Sequence, residues 1–458
     1  MSSIVGSRYI APIAMKEQHV NWPVVLYFFF LTVASLLGAV PITVFMLLFM
    51  FLVLCCWIPM RGGLPPLLGN LLLPFSALLL VGSLGIYENP KYDVFKDVWY
   101  VGKPMLCMTV GFVLMWNLRD LRRLLRIFVV VGAVVSVFHI IRFIQNPDLL
   151  SLSANDMRNA AGRGYIIAVI GIGAWLAAWK LNFRLFPFGR LIDTILLLLC
   201  LASIGLSMSR VMFLSFLLLV GAVLGIVNFT DRKKVTKIVV AVVIGFIVLM
   251  LIPKPQYVGQ NATFLEKMLF SLQEMEVRDY NSIADINTRW RGYETARAYL
   301  TYSNGAYWQY LTGRGFGTSV DLGLFMPMGD EPIRFAPILH NGYMYLLVKT
   351  GLMGILIYLF FLASVIRTGN ECIRQEGGGS HESRYTGRLI VGVACVLGVS
   401  TFVVSGPFNK QAMIPAEIFL GALVAHAARR TFPNRSVTFE RVIQPSPSSP
   451  SVVSKGMK

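Results

Sequence analysis

Three basic residues carry the chemistry that this sequence supports. They are Arg210 in Leu206-Ser-Met-Ser-Arg-Val-Met-Phe213, Arg289 in Asn287-Thr-Arg-Trp-Arg291, and His340 in Pro337-Ile-Leu-His-Asn-Gly-Tyr343. An arginine offers a planar fork of donors that matches phosphate oxygens in pairs, and it stays charged near lipid. A histidine changes charge near neutral pH, which suits it to take or give a proton. Two such clamps beside one imidazole fit a lipid-linked phosphate substrate and a proton transfer. Each residue also has a structural reading. Arg210 can anchor a helix end at the interface, and His340 can be a helix-start residue bonded to a neighbour.

These residues are positioned by membrane spans. The 458 residues are 56% hydrophobic and 14% charged, and apolar runs of spanning length, about 17 to 25 residues, recur along the chain. The strand alternation of a membrane barrel is absent. Twelve candidate spans follow: 22–40, 42–58, 66–86, 100–117, 127–144, 164–180, 191–208, 211–229, 238–253, 341–365, 388–405 and 412–428. An even count puts both termini on one side. With that side cytoplasmic, every inside segment is basic, from Arg61 through the cluster Arg119, Arg122, Arg123 and Arg126 to Arg429 and Arg430. That is the positive-inside pattern, and it accounts for the net charge of +18 without nucleic acid. The first run has spanning length and reads as a retained signal anchor. The six cysteines show neither a disulfide framework nor metal-ligand spacing.

On this topology Arg210, Arg289 and His340 all lie at the outer face. The expected divisions are residues 1–253 with nine spans, 254–339 as one outer loop domain, 340–430 with three spans, and 431–458 as a disordered Pro/Ser-rich cytoplasmic tail. Outer turns and loops include Tyr87 to Tyr100 and Gln145 to Gly164. The latter carries Arg158 and Arg163, which either extend a glycan or phosphate site or are simply solvated. Within the outer domain, nine acids nearly balance eight bases, which excludes a polyanion-binding arm. Phe264 to Met275 has the spacing of an amphipathic helix, lying on the membrane surface or packed on the top of the bundle, and Thr288 to Tyr302 that of a second helix after Asn287 as N-cap. At about 100° per residue, Arg289 falls on the apolar face with Trp290, Tyr293 and Leu300, and Arg291 points to the other side. The glycine-rich stretch Thr312 to Thr318 lacks the strand and the Lys-Ser/Thr ending of a phosphate loop and reads as a flexible connector.

Ser209-Arg210 opening a span, the pair Arg289-Trp-Arg291 in a large outer loop, and His340-Asn-Gly-Tyr343 followed by Lys349-Thr-Gly-Leu-Met-Gly354 together resemble the O-antigen ligase and polymerase superfamily of bacterial inner-membrane glycosyltransferases. The resemblance covers roughly residues 190 to 365. It implies an all-α polytopic fold of the membrane glycosyltransferase C class, with one large periplasmic helical loop between spans 9 and 10. It also implies an inverting transfer, without metal or other cofactor, of a glycan from undecaprenyl diphosphate to an acceptor hydroxyl, either on lipid A-core or on another lipid-linked glycan. By the same resemblance, Arg210 and Arg289 bind the diphosphate, with Arg291 as the rival for the second place, and His340 is the base. A flippase or other transporter is the competing class. Transporters place charged groups near mid-membrane, whereas here they gather at one face.

Overall fold

The computed structural model describes residues 22–36, 66–146, 162, 165–186, 189–231, 233, 235–237, 240, 244, 274, 277–280, 282–328, 331–374, 381–408 and 411–431. Among these the fold is helical. The apolar helices are α1 (Trp22–Leu36), α2 (Pro66–Gly82), α3 (Lys91–Leu118), α4 (Leu121–Ile144), α5 (Ile166–Lys180), α6 (Arg190–Leu206) and α7 (Arg210–Leu224). After the long segment that follows α7 come α11 (Gly342–Arg374), α12 (His381–Val404) and α13 (Ile414–Thr431). Six described helices are long and apolar enough to cross a membrane, and α1, α5 and α7 are shorter apolar helices. A helix suits such runs because it satisfies every backbone polar group within one segment, which lipid cannot do. The expected span 42–58 lies outside the described residues, as do the surface helix at 264–275 apart from Glu274, almost all of the tail and almost all of the expected span 238–253.

The core is an apolar bundle. α13 lies along α3, α11 along α12 and α2, and α4 along α5 and α6. A Cβ on Gly111 would sit 1.9 Å from the carbonyl oxygen of Ile418, and one on Gly421 would sit 1.9 Å from that of Met108, so α3 and α13 meet backbone to backbone.

Two helices are longer than hydropathy suggested. α3 begins at Lys91, so most of the expected loop from Tyr87 to Tyr100 is helix. α11 has 33 residues, about 50 Å at 1.5 Å per residue, against a hydrocarbon core of about 30 Å. A hydropathy window stops at charged residues, but a helix continues past them where another element supplies partners. Here the partners are mutual. Asp97 of α3 and Lys349 of α11 are both buried, with Lys349 Nζ 2.5 Å from Asp97 Oδ2. Tyr345 Oη donates to Asp97 Oδ1 at 2.7 Å, and the Gly317 N–H donates to Oδ2 at 2.6 Å.

The last of these bonds shows that Thr312 to Thr318 is no loose connector. α11 is broken at Gly351, where φ is 64° and ψ −163°, a region open to glycine alone. The Arg314 N–H donates to the Val348 carbonyl at 2.8 Å and the Gly315 N–H to that of Lys349 at 3.1 Å. A Cβ on Gly313 would lie 2.4 Å from the Lys349 carbonyl carbon. Glycine is used here for close backbone approach rather than for flexibility, and composition alone does not separate the two. Removing one partner of a buried ion pair leaves an uncompensated charge, worth about 3–5 kcal/mol. Asp97→Ala is therefore expected to lose most of the folded protein in detergent, and Asp97→Asn with Lys349→Met to recover much of it. Fluorescence-detected size exclusion and thermal melts check both.

The segment before α11 carries α8 (Ile283–Thr288), α9 (Trp290–Ser303), α10 (Gln309–Thr312) and an antiparallel hairpin of β1 (Val320–Met328) and β2 (Glu331–Ala336). The hairpin departs from the expected purely helical domain. Its signal is the alternation of buried Val320, Leu322 and Met326 with less buried residues, too short to stand out beside the apolar runs. Ile286, Tyr293, Leu322, Met326 and Ala336 form a small core of their own. Tyr293 Oη donates to the Leu322 carbonyl and Arg297 Nε to that of Asp321, so the hairpin sets the roll of α9.

Candidate active site

His340 stands two residues before α11. Asn341 Oδ1 accepts the N–H groups of Tyr343 at 3.0 Å and Met344 at 3.3 Å, closing two of the four donors a helix start leaves unpaired. Gly342 lets this turn press on α12, since a Cβ there would lie 2.8 Å from Thr401 and 2.9 Å from the Ser405 carbonyl. Ser405 donates back to the carbonyl oxygens of Leu339 and His340. The His-Asn-Gly-Tyr stretch is thus a helix start pinned from three sides, with the imidazole held at its edge.

Its partner is Glu294 of α9, which is 2% exposed. Glu294 Oε2 accepts the backbone N–H of His340 at 2.8 Å, and Oε1 lies 3.2 Å from His340 Nδ1. An ionised carboxylate only accepts, so the tautomer that this contact favours has the proton on Nδ1 and leaves Nε2 as the nitrogen able to take one. The His340 side chain is 38% exposed and so reachable by a substrate. Among helix residues, Glu294 shares a face with buried Ala298 four residues on. An acid on the buried face of a helix is the signal in the sequence that points to it.

The arginines divide into two clusters. Arg210, the first residue of α7, places Nη2 2.7 Å from Glu274 Oε2, and Arg291 places Nε 3.3 Å from Glu274 Oε1. Arg291 and Glu294 are one turn apart on α9, so the arginine pair and the His340–Glu294 pair share one helix face. Burial lowers the Arg291 pKa; the carboxylates of Glu274 and Glu294 offset this, while the charge of Arg210 adds to it. The group remains charged in water at any ordinary pH. Arg289 is directed elsewhere and pairs with Asp285, which also holds Arg278 at 2.6 Å. The reason is backbone: the expected single helix from Thr288 is broken at Arg289, with φ −115° and ψ 37°, and Asn287 lies inside α8 rather than at a cap. A helical wheel drawn through the break assigns the wrong face. Arg158 and Arg163 lie outside the described residues. Glu274 carries no distinguishing mark in the sequence.

The arrangement offers paired guanidinium groups for an anion and an oriented imidazole for a proton. The O-antigen ligase family model matches residues 195–359, a stretch that includes Arg210, Glu274, Arg291, Glu294 and His340. Over that stretch the chain is similar to the O-antigen ligase family, which supports the resemblance to the O-antigen ligase and polymerase superfamily. Members of that superfamily are glycosyltransferase-like ligases and polymerases. No curated protein matches this chain. The matched stretch ends within α11, a few residues beyond the break at Gly351. It thus takes in both halves of the site as well as the turn that fastens them to the bundle.

Proposed function

We propose that this chain transfers a glycan from undecaprenyl diphosphate to an acceptor hydroxyl at the periplasmic face of the bacterial inner membrane. The observation that carries the reading is the gathering on α9 of Arg291, which shares Glu274 with Arg210, and Glu294, which holds His340. The basic inside segments support twelve spans with both termini cytoplasmic, placing residues 254–339 outside.

In this reading Arg210 and Arg291 hold the diphosphate. His340 Nε2 takes the acceptor proton while the acceptor oxygen bonds to the anomeric carbon from the face opposite the leaving group. The bond from that carbon to the phosphate oxygen breaks, and its electron pair stays on the diphosphate, where the two guanidinium groups meet the developing charge. The configuration inverts in one displacement, and Glu294 stabilises the imidazolium that forms. No step uses a metal. The acceptor is lipid A-core for a ligase and a second lipid-linked chain for a polymerase.

Purified full-length protein, supplied with lipid-linked glycan and each acceptor in the presence of chelator, is expected to release undecaprenyl diphosphate and to lengthen or relocate the glycan. Movement of intact lipid-linked glycan across a vesicle, with no bond broken, would replace this reading with a flippase.

A further inference from the structure

Glu274 lies between the two arginines, one oxygen on each: Oε2 at 2.7 Å from Arg210 Nη2 and Oε1 at 3.3 Å from Arg291 Nε. A carboxylate in that position repeats the geometry of two phosphate oxygens received by two guanidinium groups. The three side chains are 19%, 26% and 23% exposed, so solvent and a ligand reach the cluster. Each arginine already has its anion in the ligand-free protein, and an incoming diphosphate must take the place of that anion.

We propose that Glu274 is a stand-in anion that occupies the diphosphate position when no lipid carrier is bound, and that carrier binding displaces its side chain. The idea rests on the reading of Arg210 and Arg291 as the diphosphate site. It makes Glu274 a determinant of carrier affinity and of product release. An ion pair that solvent still reaches is weaker than a fully buried one, and a single negative charge yields to a group with more charge and more acceptor oxygens. The same carboxylate returns to the arginines as undecaprenyl diphosphate departs, so the basic pair is never left without an anion. It also selects against monoanions, because a ligand with no more charge than a carboxylate gains nothing by the exchange.

The test uses the full chain in lipid nanodiscs and inorganic pyrophosphate as probe, with binding read by calorimetry. Removing the competing charge in Glu274→Gln is expected to tighten pyrophosphate about fivefold, the equivalent of a weak ion pair, and Glu274→Ser is expected to do the same if the glutamine variant is poorly folded. Arg210→Gln and Arg291→Gln are expected to weaken it about tenfold or more, the loss of a charged donor pair. Weaker or unchanged binding in the Glu274 variants, with both arginine variants weakened, would overturn the stand-in and make Glu274 an orienting residue, while leaving the diphosphate site intact. Unchanged binding in the arginine variants would instead remove the diphosphate reading itself.

Discussion

Replacing His340 with alanine lowers glycan transfer by about 10²- to 10⁴-fold, the usual contribution of a positioned general base, while binding of the lipid carrier is largely kept. The expectation follows from the bidentate seat on Glu294, which holds the backbone N–H and orients the ring of His340. His340→Gln does not rescue the rate, because an amide cannot accept the proton. The variant also loses whatever acid limb the pH–rate profile of the wild type shows. Glu294→Gln is the companion experiment. A neutral amide still accepts from the His340 N–H, so the helix start survives, but it no longer stabilises the imidazolium. It therefore lowers kcat with little change in KM. Rates near wild type in His340→Gln, with only alanine impaired, would make the residue a hydrogen-bonding helix start, and Asp285 would be the next base to test.

The second large effect separates the two arginines on either side of Trp290, one at the break before α9 and one in its first turn. Arg291→Lys keeps the charge but loses the planar fork, and it is expected to cost about 10²-fold or more in kcat/KM, the loss of a charged, oriented contact made at the reacting end. Arg289→Lys is expected to fall within a few fold of wild type, because Arg289 is paired with Asp285 and its nearest charged neighbours belong to a structural cluster with Arg278. Charge-preserving replacements are the informative ones, since alanine at either place would also remove one of the two guanidinium partners of Glu274 or of Asp285. Transfer assays with a fixed acceptor and varied lipid-linked glycan check both. A reversed order of effects would mean that α8 and α9 join into one helix in the substrate complex, bringing Arg289 round to Arg210.

The helices were legible in the sequence because spanning a membrane is a local property. An apolar run of sufficient length has no other way to satisfy its backbone in lipid, so α2, α5, α6 and α13 begin and end within a few residues of the hydropathy limits, while α4 and α12 end there but begin six and seven residues earlier. Arg210 and His340 were legible for a related reason. Each is an ionisable residue at the end of such a run, and the turn at Ser207 to Ser209 and the cap at Asn341 are short-range devices.

What the sequence could not decide lies wherever two distant segments meet. The helical wheel preferred Arg289, whereas the geometry puts Arg291 beside Arg210, because a single non-helical residue shifts the phase of everything after it. Glu294 was recognisable as an acid near arginines, yet its role as the seat of His340 depends on a contact across 46 positions. Asp97 fell in the expected loop from Tyr87 to Tyr100 and Lys349 within the expected span 341–365, and only the contact of α3 with α11 makes them a buried pair. Thr312 to Thr318 is rigid because its amides close carbonyls freed by a break in another helix. Local sequence encodes which segments become helices and which charges are out of place. The pairing of those charges is a property of packing, where a residue's partner is set by the geometry of the bundle and the hairpin rather than by its neighbours along the chain.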